Sequence, residues 1–119
     1  MSQQSAFQMQ HRTQVFTAAT TAPTPVQVTN VNAQTPTNAC NYVLTNIGTQ
    51  VAFVSCEATA ALATSSAVIP TAGGGTNGAK CIPVLGNSQI SLTGPPAAFF
   101  TGITSSGTAT VYVSGGEGL

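Results

Sequence analysis

The feature that most restricts the fold is a series of short segments in which apolar and polar residues alternate, separated by turns that contain glycine, proline or asparagine. Alternation with a period of two places one set of side chains on each face of a β-strand, whereas an amphipathic helix needs a period of 3.6 residues. The segments QVFTA, CNYVLTN, QISLT and TATVYVS follow this pattern. The sequence therefore predicts an all-β fold.

Charged side chains are almost absent, at 3% of the 119 residues, where a typical soluble domain has about 25%. The charged residues are Arg12, Glu57, Lys80 and Glu117, and the net charge is zero. Self-repulsion is therefore weak, and association between molecules is favoured. This composition predicts a subunit whose surface is largely covered by neighbouring subunits; the alternative is an ordinary β domain with an unusual surface.

The same composition argues against several classes of function. Two basic residues can neutralise few phosphates, so we expect no nucleic-acid binding, and no polybasic contact with a membrane. No apolar run is long enough to span a bilayer. The first residues, MSQQSAFQMQHR, lack the pattern of a secretory signal peptide, so we expect none.

Residues 1–38 differ in composition from the remainder and are rich in Gln, Thr and Pro. Pro23, Pro25 and Pro36 disfavour a long helix and favour an extended backbone. The segments QVFTA and VQVTNV could each form a short strand. We therefore predict two parts, an extended N-terminal arm (1–38) and a β-sandwich domain (39–119); a disordered leader is the alternative for the first part.

The segment CNYVLTNIGTQVAFVSCE predicts a hairpin that turns at Asn46-Ile47-Gly48-Thr49. In that register Cys40 lies opposite Cys56. The side chains that we expect on the core face of both strands are Cys40, Tyr42, Leu44, Ala52, Val54 and Cys56. A disulfide between Cys40 and Cys56 is conceivable, but we predict buried thiols, because the odd number of three cysteines suits a reducing cytosol.

The rest of the chain also predicts strands. Residues 58–66 form either one helical turn or a loop, AVIP a short strand, and TAGGGTNGAK a loop. Two strands flank Gly86-Asn87, with Ile90 and Leu92 directed inward, and a last hairpin turns at Ser105-Ser106-Gly107 with Val111 and Val113 on the face opposite Tyr112. The prediction is an antiparallel β-sandwich or small jelly roll of about seven or eight strands.

Residues suited to catalysis are scarce. The chain has no Asp, its carboxylates are Glu57 and Glu117, and its one histidine, His11, lies in the predicted arm. A glycosidase needs two rigidly held carboxylates, and a Ser-His or Cys-His system needs an orienting group for its histidine. Cys40, Cys56 and Cys81 match no zinc spacing. We therefore predict no enzymatic activity, no catalytic residues, no cofactor and no metal site.

Two other features were considered as binding sites, a glycine-rich loop for phosphate and a set of aromatic residues for sugars. The loop GGGTNGAK lacks the spacing of a phosphate-binding P-loop, because Cys81 follows Lys80 and no helix is predicted after it. Tyr42, Tyr112, Phe99 and Phe100 could line a sugar-binding face, but packing in the core or between subunits is the interpretation we favour.

Three stretches within residues 40–119 carry a resemblance: YVLTNIGTQVAFVSCE, AVIPTAGG with CIPVLGNSQISL, and TGITSSGTATVYVSGGEGL. They resemble the strand–turn–strand segments of small virion-associated β-sandwich structural proteins of tailed bacteriophages. The resemblance implies a phage structural protein without enzymatic activity. Residues 1–38 fall outside it.

The function predicted from these features is a virion structural protein, specifically a capsid decoration or cement protein. It would assemble in the host cytoplasm, form a homo-oligomer, and bind the major capsid protein or other virion subunits. The alternatives are a tail, connector or head-fibre subunit of the same particle and a carbohydrate-binding adhesion module.

Overall fold

The computed structural model describes residues 8–9, 12–29, 40–73 and 79–117. These residues form nine strands and one short helix. In chain order the elements are β1 (Gln8–Met9), β2 (Gln14–Ala18), β3 (Val26–Gln27), β4 (Cys40–Asn46), β5 (Ala52–Glu57), α1 (Ala60–Ser66), β6 (Ile82–Val84), β7 (Ser88–Gly94), β8 (Phe99–Ile103) and β9 (Ala109–Glu117).

The strands pair in a nested order, which defines the topology. β2 pairs with β9, β3 with β8, β4 with β7 and β5 with β6, all antiparallel. The pairs β4–β9 and β5–β8 join these ladders into a five-stranded sheet, in which β1 and β2 lie beside β9, and a four-stranded sheet of order β3-β8-β5-β6. A chain doubled on itself and rolled into two sheets is a jelly roll. The predicted fold class is confirmed.

The two predicted hairpins are wrong, because their strands lie in different sheets. β4 belongs to the five-stranded sheet and β5 to the four-stranded sheet, and the same division separates β9 from β8. The connections at residues 47–51 and 104–108 therefore cross between the sheets. Alternation determines which face of a strand is buried, but it does not determine which strand lies beside it.

The predicted core face is nevertheless correct for most of its members. Cys40, Tyr42 and Leu44 on β4 and Ala52 and Val54 on β5 are buried, because both strands direct these side chains into the core that the two sheets share. Cys56 is only partly buried and packs against the same core. Val111 and Val113 are buried and Tyr112 is exposed, as predicted.

Asn46 holds the crossing from β4 to β5. Its side chain is buried and donates hydrogen bonds from Nδ2 to the carbonyl oxygens of Gln50 (2.9 Å) and Val84 (3.0 Å), and its Oδ1 accepts one from the Gly48 amide (2.9 Å). A single amide side chain thus satisfies backbone groups of the 47–51 connection and of β6, which stabilises a turn that has no ladder of its own.

The prediction of a separate arm is wrong for residues 12–29. β2 extends the five-stranded sheet through five residue pairs with β9, and β3 pairs with β8. Phe16, Ala18 and Val28 are buried in the common core. The boundary predicted at residue 38 therefore does not separate these residues from the sandwich, because the buried face of β2 supplies part of its core. Residues 30–39 lie outside the described residues.

The helix covers the outer surface of the four-stranded sheet. Thr59 caps it, since the Thr59 hydroxyl accepts a hydrogen bond from the Leu62 amide (3.2 Å). Ser55 on β5 donates from its hydroxyl to the Ala63 carbonyl (2.7 Å), and both residues are buried. Of the two alternatives for residues 58–66, the helical one is correct, whereas AVIP forms no strand.

Candidate interaction surface

The outward side of the five-stranded sheet is a regular surface of the described fold. Along four strands its side chains alternate with buried or partly buried ones, and none of them is charged. We call this set the outer face: Val15, Thr17, Asn41, Val43, Thr45, Gln89, Ser91, Thr93, Thr110, Tyr112 and Ser114. The outer face is exposed or half-buried throughout.

One row crosses the outer face from edge to edge. The strand registers align Val15 with Tyr112, Tyr112 with Thr45, and Thr45 with Gln89. Val15 is 45% exposed and Tyr112 is 40% exposed. An aromatic ring therefore lies beside a branched aliphatic side chain, in a surface whose remaining side chains, apart from Val43, carry hydroxyl or amide groups.

Hydrogen bonds between strands hold the polar side chains of the outer face. Gln89 donates from Nε2 to the Thr45 hydroxyl (2.9 Å), and Thr93 donates from its hydroxyl to Asn41 Oδ1 (3.0 Å). At the β2 side, the hydroxyls of Thr13 and Ser114 lie 3.0 Å apart. Polar groups that already have partners lose less free energy when a second protein excludes water from them.

The charged residues that the structure describes are not members of the outer face. Arg12 is exposed and precedes β2. Glu57 ends β5 with its side chain only 8% exposed, and it accepts hydrogen bonds from the Ser66 hydroxyl (3.0 Å) and from Lys80 Nζ (3.2 Å). Lys80 is 79% exposed. The Glu57–Lys80 ion pair joins the end of β5 to the segment before β6, so it ties a loop to the four-stranded sheet.

The residues considered for catalysis do not form one site in the described part. Glu57 belongs to the four-stranded sheet, and Glu117 ends β9 of the five-stranded sheet with its side chain outside the described residues. His11 also lies outside the described residues. Among the residues that the structure does describe, no three His, Cys, Asp or Glu side chains are grouped so as to hold a metal ion.

The four aromatic residues considered for sugar binding are divided between separate places. Tyr42 and Phe100 are buried in the core with their ring centroids 4.9 Å apart in an edge-to-face arrangement. The Tyr42 hydroxyl donates to the Pro95 carbonyl and accepts from the Ala98 amide (3.2 Å). Phe99 is half-buried in the four-stranded sheet, which leaves Tyr112 as the aromatic residue of the outer face.

All three cysteines are thiols, and the burial predicted for Cys40 is confirmed, whereas Cys56 and Cys81 are only partly buried. Cys56 and Cys81 line an open cleft of about 280 Å³ between the edges of the two sheets, together with Val54, Ile82, Leu92 and neighbouring residues. Burial raises the pKa of Cys56 from 9.0 to about 12, and the nearby Glu57 carboxylate contributes to the rise. The Cys56 thiol therefore stays protonated at neutral pH, which makes it a poor nucleophile.

We expect the free energy of unfolding to fall as the pH rises from 9 towards 12. Burial raises the pKa of Tyr42 above its ordinary 10.0, as it does for Cys56. Both groups lose their protons more readily when unfolded, so each removes about 1.4 kcal/mol per pH unit once its unfolded form has ionised. Urea unfolding across this range measures the decline.

The variant Cys56→Ala is the control for this pH dependence. It should be less stable at pH 8 but show a shallower decline at the alkaline end, because one of these two acids with a raised pKa is gone. A stability that stays constant between pH 9 and 12 in the unsubstituted protein would contradict the assignment of these buried groups.

The outer face was partly visible in the sequence. The Thr-rich, uncharged alternation at the end of the chain indicated it, but the contribution of β2 was hidden by the proline-rich composition of residues 1–38.

In the described residues no helix is both long and apolar enough to cross a membrane. Comparisons of the chain with protein-family models, curated proteins and solved structures gave no match.

Proposed function

We propose that this chain is a structural protein of a bacteriophage virion, a capsid decoration or cement protein that assembles in the host cytoplasm and binds the head shell through its outer face. The observation that carries the proposal is the absence of charge from the outer face, which spans four strands. A surface of this kind can be covered by another protein without burying an unpaired charge.

Two further features support this proposal. The jelly roll is an architecture that viral capsid domains use repeatedly, although the same architecture also occurs in lectins. The segments within residues 40–119 resemble virion-associated phage proteins, and in the structure they supply all or part of six of the nine strands, β4 to β9.

The physical role would be to add contact area across the joints of the shell. An interface of standard size buries about 1,600 Å² in total, and many copies on one particle add this contribution at many joints. Such contacts oppose the outward pressure of packaged DNA. This role needs no catalytic group, and the proposal accordingly includes no enzymatic activity, no cofactor and no nucleic-acid or membrane contact.

A tail, connector or head-fibre subunit is the alternative role in the same particle, and copy number separates the two. Quantitative mass spectrometry of purified particles measures the ratio of this chain to the major capsid protein. We expect a ratio close to a simple fraction of the shell subunits, as decoration of every capsomer requires. A ratio corresponding to a single ring of subunits would support the alternative, and absence from the particle would contradict both.

A carbohydrate-binding adhesion module is the second candidate, and Tyr112 is the observation that favours it. Its exposed ring lies beside Thr45, and the Thr45 hydroxyl accepts a hydrogen bond from Gln89. A sugar ring that stacks on Tyr112 would therefore have polar groups next to it. Glycan-array binding that is lost in Tyr112→Ala would support this function. No binding to any glycan would leave the structural role as the better account of the same face.

A further inference from the structure

We infer that the free edge of β7 pairs with the β7 edge of a second copy of this chain, in an antiparallel register centred on Ser91. This inference concerns self-association, and it does not depend on the proposed role in a virion. Three features of the described structure lead to it: the edge itself, the fit of its sequence to its own reverse, and the open cleft beside it.

β7 is the terminal strand of the five-stranded sheet. It pairs with β4 over all seven of its residues, Ser88–Gly94, and its other side has no strand partner among the described residues. Natural proteins protect such edges with charged residues, proline or a bulge. The strand SQISLTG contains neither a charge nor a proline, and its pairing with β4 is continuous, so its free backbone groups are open to another strand.

When two copies of β7 run antiparallel with Ser91 opposite Ser91, apolar residues lie opposite apolar residues and polar residues opposite polar ones. Ile90 of one copy then lies opposite Leu92 of the other, and Gln89 lies opposite Thr93. Ile90 and Leu92 both pack partly against the core, while Gln89, Ser91 and Thr93 are all exposed on the outer face. Apolar side chains therefore meet on the inward side and polar side chains on the outward side, as a stable pair requires.

The cleft of about 280 Å³ opens at the same edge, between β6 and β7. Ile82 on its rim is 36% exposed, and Leu92 lines it from β7. A second copy in the proposed register brings its Ile90 next to Leu92 and covers apolar surface that a single copy leaves accessible. The pairing thus adds hydrophobic burial to the backbone hydrogen bonds.

Electrostatics does not oppose this contact. Of the described charged residues, Lys80 is the one that lines the cleft, and the Glu57 carboxylate neutralises it at 3.2 Å. The two five-stranded sheets would join into one continuous sheet, and their outer faces would form one uncharged surface of twice the area. The copies would then present a paired surface to any larger partner.

Cysteine crosslinking tests the register. Opposed Cα atoms of an antiparallel pair lie about 4.5–5.5 Å apart, within the range of about 4.4–6.8 Å that a disulfide needs. Ser91→Cys lies opposite itself and should form a disulfide-linked dimer under mild oxidation. Gln89→Cys, which faces Thr93 of the other copy, is the matched control and should form little. Equal crosslinking of both variants, or none of Ser91→Cys, would overturn the inference.

A charge exchange tests the same contact in solution. Ser91→Lys and Ser91→Glu place like charges opposite each other, so each should weaken self-association about tenfold. Mixing the two in equal amounts should restore dimers, and Thr108→Lys in an exposed loop should have no effect. Analytical ultracentrifugation provides the readout. A native chain that stays monomeric at all concentrations, or a mixture that does not recover, would contradict the pairing.

Discussion

Removal of residues 1–29 is expected to abolish folding. The deletion removes β2, which pairs with β9 over five residues, and β3, which pairs with β8. It also removes Phe16 and Val28 from the core. A large buried side chain contributes about 2–5 kcal/mol and a whole domain is stable by about 5–15 kcal/mol. The truncated chain should therefore show no cooperative unfolding transition and little dispersion in its proton NMR spectrum.

Point variants of β2 separate a specific loss of packing from a general effect of truncation. Phe16→Ala should lower the free energy of unfolding by about 3–5 kcal/mol, because the ring is buried between the sheets. Thr17→Ala, its exposed neighbour, should change it by less than about 0.5 kcal/mol. If residues 1–38 were an independent arm, the truncated chain would instead keep its unfolding transition and its melting temperature.

The second large effect is expected from a charge on the outer face. Tyr112→Glu should leave the fold intact, because the side chain is 40% exposed. Attachment to the particle should weaken at least about 100-fold, since an unpaired carboxylate buried in an interface costs about 3 kcal/mol or more. Add-back of purified variant to particles that lack the protein, followed by sedimentation, measures the attachment.

Two variants serve as controls for this effect. Ala61→Glu places the same charge on an exposed position of α1, on the opposite side of the molecule, and should attach normally. Tyr112→Phe keeps the ring and should attach nearly as well as the native protein. Normal attachment of Tyr112→Glu would place the interface elsewhere, whereas loss of attachment in Ala61→Glu would implicate the helix side.

The sequence predicted the faces of strands better than their neighbours. Alternation is local, so it identified Tyr42, Leu44 and Val113 as core residues without reference to the rest of the chain. Pairing in a jelly roll is non-local: Gln14 lies opposite Val113, a relation that no local pattern encodes. The turn at Gly48 was read as a hairpin for this reason, although it is a crossing between sheets.

The role of residues 12–29 was missed for a different physical reason. Pro23 and Pro25 suggested an extended arm, but they lie in the connection between β2 and β3, where the chain passes from one sheet to the other. Thr101 donates from its hydroxyl to the Pro23 carbonyl (2.7 Å), which anchors this connection to β8. Proline fits such a crossing because the position requires no ladder hydrogen bond from its nitrogen.

The chemical character of the outer face could be predicted from the sequence, but the set of strands that form it could not. The lack of charge was evident from composition, and Tyr112 was expected to face away from Val111 and Val113. The row that links Val15, Tyr112 and Thr45 depends on three strands that are distant in sequence, so it required the fold.

The most direct test of the central claim is a cryo-electron microscopy map of the particle that contains this protein, at a resolution that shows side chains. The account predicts that the outer face, with Tyr112 near its centre, lies against another virion protein and is closed to solvent. A map in which the outer face is open to solvent while α1 or the loops make the contact would contradict it, and so would a particle without this protein.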